Sequence, residues 1–255
     1  MELDQSPSIL GKPQDGIVSR FLNRPISRSI TRYLLRFPIT PNVWTLSIFP
    51  LLIVAFGFLL RGDHAGFVIA LAIFQVYSIL DGCDGEIARA KNLVSERGRL
   101  LDTFCDLLGN LLLVIGLGFG LQTQYRVAHY GWFYPIEGIV AALLITANEF
   151  LLHTSTMNQA SSADGVNAIL YLRHRGLVQR SGLLFLGEKT VWWLMQFTKR
   201  DVAILLFLVL AVAGFSQWIL HLSAVVGAVS LVLSTIAWLN PGPTRRGMMP
   251  PGSRP

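Results

Sequence analysis

Residues 66–106 read GFVIALAIFQVYSILDGCDGEIARAKNLVSERGRLLDTFCD. The stretch Gly66–Leu80 is apolar, but by itself it falls short of the roughly 20 residues needed to cross about 30 Å of hydrocarbon. It passes without a proline into a polar segment, Asp81 to Ala90, that carries Asp81, Asp84, Glu86 and Arg89. One helix accommodates both halves if its polar end stands in a wet cavity, the only place where such side chains are tolerated at membrane depth. After a short loop a second apolar run begins at Leu100, so the two helices are antiparallel neighbours.

Outward from this pair, further apolar windows cover Val43–Leu60, Leu100–Leu121 and Trp132–Leu152. The long run Val202–Leu239 has a polar break at Ser216-Gln217 and reads as two spans. The expected fold is therefore an all-α integral membrane protein with six transmembrane helices. Composition agrees: of 255 residues 52% are hydrophobic and 14% charged, against roughly 25% charged in a soluble domain. Mean hydropathy is +0.52. These values exclude an ordinary soluble enzyme, a disordered chain and an acidic solvating tail. With the N-terminus in the cytoplasm, only Arg61 and Arg126 of the 21 Lys+Arg fall in outer segments. That bias puts both termini in the cytoplasm and explains the net charge of +6 by anionic headgroups, with no nucleic acid partner.

Ahead of the first span, Arg20, Arg24, Arg28, Arg32 and Arg36 recur every four residues among Val18, Phe21, Leu22, Ile30, Tyr33, Leu34 and Phe37. This pattern predicts an N-terminal amphipathic interfacial helix, restarted at Pro25, stopped by Pro38, and serving as an anchor. Leu183–Thr198 is a second amphipathic candidate, and Ser155–Gly165 reads as a polar loop. The organisation expected is a cytoplasmic N-terminal segment over 1–38, a six-helix domain over 39–240 and a disordered tail over 241–255. Met1 to Asp15 lacks the order of a signal peptide, so insertion is expected to rely on internal spans. Cys83 and Cys105 match no metal-ligand spacing and read as small buried residues.

The chemistry is concentrated between Asp81 and Asp106. Asp81 and Asp84 are three apart and share a helix face with Gly85 and Ala88, small residues that leave room for a ligand. Gly98, Asp102 and Asp106 recur every four residues on the next helix. Four carboxylates converging in low dielectric repel unless cations hold them, and all-oxygen ligation favours two Mg²⁺ or Mn²⁺ ions, the arrangement that clamps oxygens in phosphoryl transfer. The bland alternative pairs Asp81 and Asp84 with Arg89, and Asp102 with Arg99.

The spacing Asp81-x2-Asp84-Gly85-x2-Ala88-Arg89-x8-Gly98-x3-Asp102-x3-Asp106 resembles, at every fixed position, the signature of the CDP-alcohol phosphatidyltransferase family. Such a pattern arises by chance about once in a billion starting points at average residue frequencies. The resemblance extends to Thr40-Pro41-Asn42-Val43-Trp44-Thr45 and to the six-helix plan, and is weakest over Ser155–Lys199. It implies transfer of a substituted phosphate from a CDP-linked donor to an acceptor alcohol with release of CMP, two divalent metals, and a homodimer. By resemblance Asp81 and Asp102 touch both metals, Asp84 the first and Asp106 the second, and Asp106 takes the proton from the acceptor hydroxyl. Gly85, Arg89 and Ser95, with Asn42 and Thr45, belong to the CDP-donor site, in which Ala88 and Gly98 supply the small positions. Lys199 and Arg200 have two readings, a positive-inside anchor or, as in relatives that use phosphorylated acceptors, a phosphate clamp.

Around this core the readings stay open. Glu137, Glu149 and His153 lie in or beside the fourth span, and Glu149 and His153, four apart, could pair on the helix. One rival is a divalent-cation transporter using the intramembrane aspartates, against which no outer-side charged relay is apparent. Another is a family member that has lost activity, against which the signature is intact. The donor is CDP-diacylglycerol or a CDP-polyol, and the basic N-terminal helix resembles members handling inositol phosphates. The expected location is a bacterial or archaeal plasma membrane, multi-pass among membrane lipids, with the site facing the cytoplasm.

Overall fold

A computed structural model describes residues 16–125, 131–157 and 199–239, with side chains placed except over 152–157 and 237–239. The described residues form helices and no strand. After a π-turn at Ser19–Asn23 come α1 (Arg24–Leu34), α2 (Pro41–Ile48), α3 (Pro50–Leu60), α4 (His64–Ala90), α5 (Glu96–Gln124), α6 (Phe133–Met157), α7 (Arg200–Val212) and α8 (Ser216–Leu239). Among them five stretches are long and apolar enough to cross a membrane: Pro41–Leu60, His64–Ala90, Glu96–Gln124, Phe133–Leu151 and Ser216–Ile236. Where the fifth span is expected lies α7, 13 residues long, which is not among these five. The amphipathic candidate Leu183–Thr198, most of the loop Ser155–Gly165 and the tail 241–255 lie outside the described residues.

Local chemistry sets the helix ends. The first span is α2 and α3 in series, because Pro50 has no N–H to continue the ladder through Phe49. Between α3 and α4, Gly62 adopts φ +69, and Asp63 caps α4 by accepting from the Gly66 N–H at 3.1 Å. Arg61 grips the same carboxylate at 2.8 and 3.1 Å, and that hydrogen bond holds Asp63 below its ordinary range. As expected, α4 runs unbroken through Asp81 to Ala90. Ser95 caps α5, accepting from the Gly98 N–H at 3.1 Å. The break between α7 and α8 differs from expectation: it falls at Gly214, with φ +83, and the polar pair Ser216-Gln217 opens α8 instead. A left-handed turn needs glycine more than it needs polarity.

Leu52, Leu59, Phe67, Leu71, Leu113, Leu117 and Leu121 form the buried core where α3, α4 and α5 meet. Glycines let α5 and α6 approach closely: a Cβ on Gly118 would lie 2.7 Å from the Tyr134 carbonyl, and one on Gly138 would lie 2.8 Å from the Val114 carbonyl. Large apolar side chains such as Leu143, Phe150, Val225 and Val232 stay exposed, as a lipid-facing surface requires. At the end of the bundle away from the aspartates, His221 Nδ1 of α8 sits 2.7 and 2.9 Å from the Glu137 carboxylate of α6, beside Phe133, Tyr134 and Trp218. A carboxylate–imidazole contact is therefore present at the end where the sequence shows no charged relay.

The N-terminal helix carries a face that the arginine spacing does not reveal. Its buried face is polar: Asn23, Ser27 and Thr31, four residues apart, pack against α4, while Phe21, Ile26 and Tyr33 remain exposed. Leu34 and Ile30 add apolar contacts, with Cys83 and Ile87. Both cysteines are buried, as expected.

Candidate active site

The polar end of α4 and the first turns of α5 bring Asp81, Asp102 and Asp106 together, one carboxylate oxygen of each lying within 4.8 Å of the others. Asp84 is not in this cluster. Its Oδ2 accepts from Thr45 Oγ1 of α2 at 2.8 Å, and Thr45 also donates to the Pro41 carbonyl at 3.1 Å. Convergence of all four aspartates is thus borne out for three, with the fourth held one helical turn further along α4 by the first span.

Arg200, at the start of α7, forms an ion pair with Asp106 and lies 3.9 Å from Asp81. Its guanidinium also stands 5.8 Å from the centre of the Tyr77 ring. Arg99 pairs with Glu96 at 2.6 Å. One guanidinium does not complete the cluster, since Asp81 Oδ1 and Asp106 Oδ1 remain buried without a hydrogen-bond partner. Buried carboxylate oxygens that lack donors are costly, and three converging acidic groups fit hard divalent cations. The residues present therefore suit the ions that the sequence implies. Glu149 of α6 lies within electrostatic reach of Asp106, and the side chain of His153 lies outside the described residues.

The remaining expected residues frame this cluster. Asn42 stands beside Gly98, where a Cβ would come 3.0 Å from Asn42 Oδ1. Gly85 follows Asp84, its N–H bonded to that carboxylate, and a Cβ there would meet Arg89 Nη1 at 3.4 Å. The Ala88 carbonyl accepts from the Leu93 N–H at 2.8 Å, closing α4 before the loop to Ser95. Lys199 immediately precedes α7.

Next to Asp81 opens a cavity of about 310 Å³ lined by Arg24 and Ser27 of α1, Gly82 of α4, Lys199 and Arg200. Sequence reading missed Arg24 here, because its four-residue spacing with other arginines resembles a headgroup anchor. It missed Glu86 as well, whose carboxylate accepts from Ser27 at 2.9 Å, Thr31 at 2.7 Å and Arg24 at 3.4 Å. Trp44 Nε1 donates to the Leu80 carbonyl at 2.9 Å, fixing α2 against α4 one residue before Asp81. Lys91 donates to the carbonyls of Phe37 and Ile39, each at 2.8 Å, tying the α1–α2 connection to the end of α4.

The helical bundle, with five stretches apolar enough to cross a membrane, carries at one end an acidic cluster suited to divalent ions beside a cavity lined by Arg24, Lys199 and Arg200, the frame of a membrane-embedded, metal-binding class of protein. The model of the CDP-alcohol phosphatidyltransferase family matches residues 38–236, and the chain belongs to that family. Its relatives include proteins named "Bifunctional IPC transferase and DIPP synthase". The one from Rubrobacter xylanophilus is 41% identical over 114 residues, 45% of this chain and 26% of its own. The one from Archaeoglobus fulgidus is 33% identical over 156 residues, covering 60% of this chain and 27% of its own. The chain thus spans about a quarter of the length of these relatives.

Proposed function

We propose that this protein transfers a substituted phosphate from a CDP-linked donor to the hydroxyl of an acceptor alcohol, releasing CMP. The observation that carries the reading is the meeting of Asp81, Asp102 and Asp106 within 4.8 Å beside a cavity lined by Arg24, Lys199 and Arg200. Asp81, Asp84, Asp102 and Asp106 hold two Mg²⁺ or Mn²⁺ ions, which supply charge neutralisation of the diphosphate and of the leaving CMP. Asp106 accepts the proton of the attacking hydroxyl, the step that makes an alcohol a competent nucleophile. Gly85, Ala88 and Gly98 leave room for the nucleotide, while Asn42, Thr45, Arg89 and Ser95 bind and orient it. Arg200 and Lys199 clamp a phosphate on the acceptor, so the substrate favoured is a phosphorylated polyol.

The relatives' name joins two activities on chains of which the match covers about a quarter, and we assign one, the CDP-alcohol step, to this chain. The protein works as a homodimer of six-span subunits among membrane lipids, with both termini and the site facing the cytoplasm of a bacterial or archaeal cell. A divalent-cation transporter would need a polar path from the aspartates to the far end. Leu52, Leu59, Phe67 and Leu117 instead fill the space between them among the described residues.

The test is a donor and acceptor panel. Purified protein with Mg²⁺ is given CDP-diacylglycerol or CDP-inositol together with glycerol 3-phosphate, inositol phosphate, inositol or serine, and CMP is followed. Release with one donor and a phosphorylated acceptor is expected. Release only with unphosphorylated alcohols would remove the clamp, and release with none would remove the function.

A further inference from the structure

Glu86 lies within the signature stretch yet has no part in holding ions or nucleotide as proposed above. Its side chain is 11% exposed and accepts three hydrogen bonds, all from one face of α1: Arg24, Ser27 and Thr31. A helix that served only as a membrane anchor would need its exposed Phe21, Ile26 and Tyr33, and would gain nothing from a stripe of hydroxyls seated on a buried carboxylate. A second carboxylate holds the other end of the segment: Asp201 Oδ2 of α7 accepts from the Ser19 N–H at 2.5 Å. The N-terminal segment is thus anchored on α4 and on α7, across the cavity between them, and it brings a cation there. The Arg24 side chain is 16% exposed, and its Nη1 donates to the Gly82 carbonyl and to Glu86, each at 3.4 Å. Two acceptors on one nitrogen fix the plane of the rigid guanidinium fork.

We propose that Arg24 is a specificity-determining residue for the acceptor's phosphate, and that Glu86 is a positioning residue that seats α1 so that Arg24 lines the cavity. This rests on the reading of that cavity as the acceptor site. In the cavity wall the cations Arg24, Lys199 and Arg200 stand with the carboxylates Asp81 and Asp201, while Arg24 is seated on Glu86 and Arg200 pairs with Asp106. Three cationic donors lining one cavity suit a phosphate monoester carrying about −1.5 to −2 charges. An unphosphorylated polyol offers them nothing.

The test uses the full-length protein at saturating CDP donor, with inositol phosphate and glycerol 3-phosphate as acceptors, their free alcohols for comparison, and inorganic phosphate as a competitive inhibitor. Arg24→Ala is expected to raise the KM of the phosphorylated acceptor and the inhibition constant of phosphate on the order of 10- to 150-fold, the loss of one charge-assisted contact. Donor KM and kcat at saturating acceptor are expected to hold, and Arg24→Lys to recover part of the loss. Glu86→Ala is expected to raise the same two constants about 5- to 30-fold, and adding it to Arg24→Ala is expected to raise them no further, because both act through one group. Thr31→Val provides a milder break of the same seat should Glu86→Ala fail to fold. Unchanged or lowered constants in Glu86→Ala and Thr31→Val, or equal losses for phosphorylated and free alcohols, would overturn the inference. If Arg200→Ala raises the acceptor KM and the Arg24 and Glu86 variants do not, this inference alone fails. If Arg200→Ala leaves that KM at the wild-type value, the reading of the cavity fails and takes the inference with it.

Discussion

Thr45 of α2 donates a 2.8 Å hydrogen bond to Asp84 of α4, so the first membrane span is fastened directly to the signature helix. The bond orients a carboxylate that stands apart from the cluster of Asp81, Asp102 and Asp106. Thr45→Val keeps the shape and removes the donor. The expected result is a fall in kcat/KM on the order of 10- to 150-fold, the range for a hydrogen bond to a charged group, with thermal unfolding little changed. Thr45→Ser should retain most of the activity, and equal losses in both variants would assign the effect to packing.

Asp106 pairs with Arg200 and carries a buried oxygen without a partner. Asp106→Asn preserves volume and removes the basic oxygen, so transfer should be abolished while CDP-donor binding, measured by equilibrium titration, persists. Comparable turnover in the variant would end its assignment as base.

Close helix contact gives a prediction about stability. A Cβ on Gly138 would press on the Val114 carbonyl, a backbone atom that cannot swing aside. Gly138→Ala should destabilise the detergent-solubilised protein by about 1–3 kcal/mol, seen as a lowered Tm. Gly57→Ala, where nothing lies within 4 Å of the new methyl, serves as the control.

Orientation is tested by thiol labelling in intact cells. Cysteine at exposed His64 should react with an impermeant reagent from outside, and cysteine at Val94, 74% exposed, should not. Gly62 is unsuitable because its positive φ and the Gly120 carbonyl leave no room for a side chain. Buried Cys83 and Cys105 should stay silent in both variants. The reverse labelling pattern would invert the topology.

Helix positions and the aspartate cluster were legible because each rests on local periodicity: apolar runs of spanning length, and carboxylates three or four residues apart on two adjacent helices. Even the passage of α4 through Asp81 to Ala90 follows from the absence of proline there. What stayed hidden depends on which helix meets which. The four-residue arginine rhythm before the first span says nothing of Asn23, Ser27 and Thr31 turning inward onto Gln75, Ser78 and Glu86. Glu137 and His221 find each other across α6 and α8, 84 residues apart in sequence, where no spacing rule reaches. The left-handed turn at Gly214 leaves less trace in the sequence than the polarity of Ser216-Gln217 two residues on.

The account stands most directly on CMP release from a CDP-linked donor by the purified protein as a function of divalent metal. Carboxylate oxygens gathered as Asp81, Asp102 and Asp106 are should select hard cations. Release should therefore vanish in EDTA and return on adding excess Mg²⁺ or Mn²⁺, and in Asp81→Asn it should return weakly or not at all. Undiminished CMP release in EDTA, or full metal-restored release by Asp81→Asn, would contradict the account.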